Sequence, residues 1–108
     1  MNNLNIKVVL TEDSTTYSFR KRVHLTRENS FGVVDQSIRY VDYTIGIKND
    51  LSRGWFEIDG GDEDWYVEGC LELDGRNVTG YDGMFALDDN ICDVLEAHNF
   101  DCSEVRDY

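Results

Sequence analysis

Over its first three quarters the chain alternates apolar and polar residues with a period of two, the pattern of strands that bury one face. Ile6–Glu12 is rich in β-branched residues and reads as a first strand, closed by a polar turn at Asp13-Ser14-Thr15-Thr16. A second strand follows, with Tyr17, Phe19, Val23 and Leu25 on one face and Ser18, Arg20, Arg22 and His24 on the other. Lys21 interrupts its apolar side. A third strand spans Ser37–Lys48, where Val41, Tyr43, Ile45 and Ile47 oppose Tyr40, Asp42, Thr44 and Lys48.

Turn residues at Asn49–Gly54 predict a loop, and Trp55–Asp59 with Trp65–Asp74 predict a hairpin joined through Gly60-Gly61-Asp62-Glu63-Asp64. In its second arm Trp65, Val67, Leu71 and Leu73 share a face with Gly69, and Tyr66, Glu68, Cys70, Glu72 and Asp74 share the other. Residues 75–83 read as a Gly-rich connection. The period then becomes helical: Asp88 or Asp89 caps the start, Ile91, Val94, Leu95 and His98 form a stripe to about Asn99, and Leu87 is placed to staple onto it. The prediction is an α+β fold, an antiparallel β-sheet of about five strands with one C-terminal α-helix, in a single domain over residues 1–108.

Hydrophobic content of 41% supports a folded core. No apolar run approaches the ~18 residues that span a bilayer, and MNNLNIKVVL lacks the basic and apolar regions of a secretory signal, so a cytoplasmic location is expected. Cys70, Cys92 and Cys102 have no CxxC spacing; reduced thiols are expected, with Cys70 and Cys92 as small packing residues.

Charge changes the picture most. Net charge is −12, and it is polarised: residues 1–54 hold six acids and eight bases (+2), residues 55–108 sixteen acids and two bases, Arg76 and Arg106 (−14). Asp59–Asp64 offers oxygen ligands around glycines, but without the spacing of an EF-hand it reads as a turn rather than a calcium loop. Paired carboxylates for glycoside hydrolysis are uninformative among so many acids, and no desolvated pocket marks one as a catalytic acid. His24 and His98 lie on separate elements with structural roles open to both, and there is no nucleophile signature or phosphate-binding loop. Neither an enzymatic activity, a metal nor a cofactor is expected. The basic run Phe19-Arg20-Lys21-Arg22-Val23-His24 suits cross-strand pairing with acids better than direct nucleic-acid binding, which the total charge opposes.

The remaining signal is a comb of carboxylates. Same-face acids repeat every ~6.6 Å along a strand, and two arms side by side predict on the order of one charge per ~3.3 Å, near the ~3.4 Å per phosphate of a DNA strand. Glu57, Asp59, Asp62, Glu63, Asp64, Glu68, Glu72 and Asp74 make up the hairpin's share, and Asp89, Asp93 and Glu96 a ridge on the helix. In these eleven residues the chain resembles small acidic phage-encoded nucleic-acid mimics of the anti-CRISPR and anti-restriction type. The resemblance implies an inhibitor that occupies the basic nucleic-acid-binding channel of a host defence complex, such as a CRISPR effector, with Trp55, Trp65 or Tyr66 as anchors where exposed. An immunity protein or antitoxin covering a basic nuclease would need the same surface, and a small calcium-binding or structural module is a lesser alternative.

Overall fold

The structure, a computed structural model, describes residues 5–28, 32, 34–61, 65–82 and 87–106. Six strands precede one helix: β1 (Lys7–Leu10), β2 (Ser14–Glu28), β3 (Val34–Lys48), β4 (Arg53–Asp59), β5 (Tyr66–Asp74), β6 (Asn77–Tyr81) and α1 (Asp89–Ala97). They form an antiparallel meander in the order β1-β2-β3-β4-β5-β6. This is the α+β architecture expected, with a strand where residues 75–83 read as a connection. In β6 only Val78 is fully buried, so Asn77–Tyr81 has too few apolar positions to show a period.

The register sorts every strand into a covered and an open face. On the covered face Phe19 pairs with Tyr43, Tyr43 with Ile58 and Ile58 with Val67; Tyr17, Ile45 and Phe56 form the next row. Phe19 and Tyr43 stack with ring centroids 4.7 Å apart. The helix lays Ile91, Val94 and Leu95 on this face, and Phe100, Cys102 and Val105 complete the cluster. Fully burying side chains such as Ile45, Phe56 and Leu95 contributes roughly 1.5–3 kcal/mol each, so truncating any of them to Ala is the simplest way to break the fold.

Local chemistry fixes the ends. Thr11 Oγ1 accepts from the Ser14 amide at 3.1 Å, closing the β1–β2 turn two residues earlier than the polar run suggested. At the β5–β6 turn Gly75 takes φ +58°, a left-handed value that side-chain-bearing residues resist. Asp88 caps α1 by accepting from the Asn90 amide at 2.7 Å. Lys21, the interruption in β2, hydrogen-bonds Asn90 Oδ1, and Asn90 Nδ2 donates to the Tyr43 hydroxyl at 3.3 Å. The odd polar residue of the apolar face thus ties the sheet to the start of the helix. Arg76 donates to the His98 carbonyl at 3.1 Å and lies over Phe100, placing a cation at the negative end of the helix dipole. The expected stripe position His98 is the C-cap residue, its ring against Tyr17 and its Nδ1 2.8 Å from the Val94 carbonyl.

A candidate protein-interaction face on the open side of the sheet

Alternation along β3, β4 and β5 fixes what the open face carries. Its rows read across the strands as Arg20, Asp42, Asp59 and Tyr66; then Ser18, Thr44, Glu57 and Glu68; then Thr16, Gly46, Trp55 and Cys70. Trp55 needs Gly46 as its neighbour. A Cβ at Gly46 would stand 2.0 Å from the indole, so the ring lies flat across the glycine.

Glu57 and Glu68 are directly opposed in the antiparallel register. Their Cβ atoms are therefore about 4.5–5.5 Å apart, and like charges so placed destabilise a sheet. The Tyr66 hydroxyl lies 2.8 Å from Glu57 Oε1 and 3.1 Å from Glu68 Oε2, bridging the pair. Hydrogen bonding to Glu57 first, and to Glu68 after it, holds the Tyr66 proton well above its ordinary range. Among the described residues no Lys or Arg forms an ion pair with Glu57, Asp59, Glu68, Glu72 or Asp74. Arg53 stands opposite Glu72 in the register without closing one. Beside the pair, Trp55, Glu57, Glu68, Gly69, Cys70 and Asp82 line a shallow depression of about 330 Å3. A larger one, about 640 Å3, sits at the turn end between Glu12, Lys48, Asp50 and Arg53, where Asp50 and Asn49 already serve turn hydrogen bonds.

The expected comb is thus only partly assembled. Glu57 and Glu68 share a level instead of interleaving, and the next level, Trp55 with Cys70, carries no charge before Glu72. The face is a doubled charge, a gap and further acids, not a ladder with one charge per ~3.3 Å, because antiparallel pairing sets same-face residues side by side. Asp59 also spends one oxygen on the Gly61 amide at 2.9 Å, the turn role its sequence suggested. Asp62, Glu63 and Asp64 lie outside the described residues, as do the side chains of Val23, His24 and Leu25.

Asp89, Asp93 and Glu96 belong elsewhere. They sit on α1, which packs on the covered side of the sheet, and all three turn to Arg106. Arg106 pairs with Asp89 at 3.4 Å, with Glu96 at 2.6 Å and with Asp93, its side chain only 16% exposed. The helix ridge is a clamp on a cation and does not join the open face.

Other expectations resolve individually. Arg20 is used within the molecule, in a two-point pair with Asp42 at 2.7 and 3.2 Å. Those hydrogen bonds hold the Asp42 carboxyl below its usual range. Cys92 is buried as expected, but Cys70 is exposed, because its position in β5 points it to the open face. Trp65 precedes β5 and lies partly exposed beneath the Arg39 guanidinium, 5.3 Å from its ring. Among the described residues no group of three His, Cys, Asp or Glu could hold a metal ion, and none of the helices described is long and apolar enough to cross a membrane. Arg106 and the Tyr66 bridge had no local signal, since both depend on partners ten or more residues away or on register. Comparison of the chain with protein-family models, characterised proteins and solved structures returns no match.

Proposed function

We propose that the chain is a non-catalytic binding protein that covers the basic nucleic-acid-binding surface of a partner protein with its open sheet face, and so inhibits it. The observation that carries this reading is the opposed Glu57–Glu68 pair, which no cation among the described residues neutralises. Like charges are held together there at a cost of tenths of a kcal/mol, and a basic surface would relieve that cost on binding. Tyr66, exposed on the open face, lies beside the acids as an aromatic anchor. The irregular charge spacing favours complementarity to a protein's Lys and Arg over phosphate-by-phosphate imitation of DNA. Inhibition of a host defence complex and neutralisation of a nuclease both use this chemistry.

The test is capture from a cell lysate on the immobilised protein, eluted with salt raised from about 50 to about 500 mM, a roughly threefold fall in Debye length. A nucleic-acid-binding protein should be retained, released by salt and displaced by DNA. Glu68→Lys with Glu72→Lys should weaken that binding by about a hundredfold, as two reversed charges at a centre of contact would. Asp89→Asn with Asp93→Asn should leave it within about twofold. Binding indifferent to salt, or equal in the sheet and helix variants, refutes the reading.

A further inference from the structure

The two edges of the sheet are treated differently. The β6 edge is interrupted: a register shift falls between Glu72 and Leu73, and the chain after the helix runs along β6, with the Val78 amide donating to the Asp101 carbonyl and the Asp101 amide to the Arg76 carbonyl, both at 2.8 Å. The β1 edge has neither device. Among the described residues β1 pairs with β2 alone, in unbroken register, and it carries no proline. Val8, Val9 and Leu10 are 46%, 41% and 75% exposed, and Lys7 is the one charge in the strand. A regular, largely apolar edge that no described segment covers is a template for another strand.

We propose that the occupant is a second copy of the chain, paired β1 to β1 antiparallel about a twofold axis normal to the sheet. Such an axis keeps each face on its own side, so only residues of one face can oppose each other and the axis must pass midway between one residue and its own copy. Centred on Val9, it sets Val9 beside its own copy on the open face, Val8 beside the second copy's Leu10 on the helix side, and Lys7 beside Thr11. The apolar side chains cover one another, and no like charges are directly opposed.

The charge distribution permits this association despite −12 per copy. Four strand spacings separate β1 from β5 in each copy. Across the joined sheet the two β5 strands stand about nine spacings, or ~43 Å, apart, several Debye lengths at physiological salt. The β1 end belongs to the half of the chain with charge +2. The result is one continuous sheet with both helices on one side and both acidic faces on the other. Because β1 is used up by the pairing, assembly stops at two.

Sedimentation of the full chain from about 1 to about 200 μM, the range in which a small interface equilibrates, should show a monomer–dimer equilibrium. Val9→Lys sets two ammonium groups against each other across the axis, and Leu10→Lys charges the other face. Both positions are exposed, so circular dichroism should stay native. Each variant should raise the dimer dissociation constant at least about tenfold. A wild-type chain monomeric throughout, an assembly larger than a dimer, or undiminished association in either natively folded variant overturns the proposal.

Discussion

On the helix, Asp89, Asp93 and Glu96 converge on the single guanidinium of Arg106; on the open sheet face, Glu57 and Glu68 stand side by side with a tyrosine hydroxyl between them. Both regions lie in the acidic half of the chain, yet one is neutralised by a described cation and the other, among the described residues, is not. Charge that serves only solubility needs no such distinction, since dispersed acids would do as well. Local rules of pairing are usually broken where a surface has another task. In the proposed reading the open face is the working surface and the helix acids are part of the scaffold.

Two tyrosines draw the same contrast, and they carry the largest expected effect on stability. Tyr43 lies on the covered face near Asp88, and burial followed by the Asp88 charge pushes it up to about 12. The folded protein keeps that proton where the unfolded chain, at about 10, has lost it. The stabilisation is complete below pH 10 and disappears as pH rises through 12, on the order of 2 kcal/mol in all. Alkaline denaturation should steepen over that window, and Tyr43→Phe should flatten it. Tyr66 is shifted in the same direction, but it is exposed, and water competes for both of its hydrogen bonds. Tyr66→Phe should leave the alkaline limb unchanged.

Arg106→Ala tests the helix side. It frees three carboxylates to repel one another and empties a mostly buried aliphatic stem, costing about 1–2 kcal/mol. A fall in Tm of less than about 2 °C would mean that the clamp is incidental and that the helix acids are as available as the sheet acids.

How far the sequence showed this depended on range. Alternation identified the buried rows, down to Val41, Tyr43, Ile45 and Ile47, and capping chemistry narrowed the helix start to Asp88 or Asp89, because both are set by neighbours within a few residues. The clamp was hidden because Arg106 meets Asp89 from 17 residues away. The Glu57–Glu68 opposition was hidden for another reason: a one-residue change of hairpin register would have put Glu57 out of line with Glu68. Lys21 looked like an error in the pattern until Asn90 supplied its partner. The acids themselves were visible in sequence, but their division into two sets on opposite sides of the sheet was not.

One pair of charge deletions should move stability in opposite directions. Glu68→Gln keeps an acceptor for Tyr66 and removes the repulsion from Glu57, so it should stabilise by a few tenths of a kcal/mol. Asp93→Asn removes an ion pair to Arg106 and should destabilise by a similar amount. Both differences should shrink in about 0.5 M salt. The same sign for the two in matched melting curves would remove the distinction between the regions.

The smallest effect is kinetic and reads the open face directly. Cys70 is exposed there between Glu68 and Glu72, whereas Cys92 and Cys102 are fully buried. One thiol should therefore react rapidly in the native protein and the other two only on unfolding. Each flanking carboxylate sits about 7 Å along the strand from Cys70 and, in water, changes the energy of a singly charged reagent by ~0.6 kcal/mol. That is roughly threefold in rate per carboxylate. An anionic disulfide reagent should react faster as salt rises and a cationic one slower, by several-fold in each direction. Glu68→Gln with Glu72→Gln should bring the two reagents together. If they already respond to salt alike in the wild type, nearby groups neutralise the acids and the open face has no field with which to attract a basic partner.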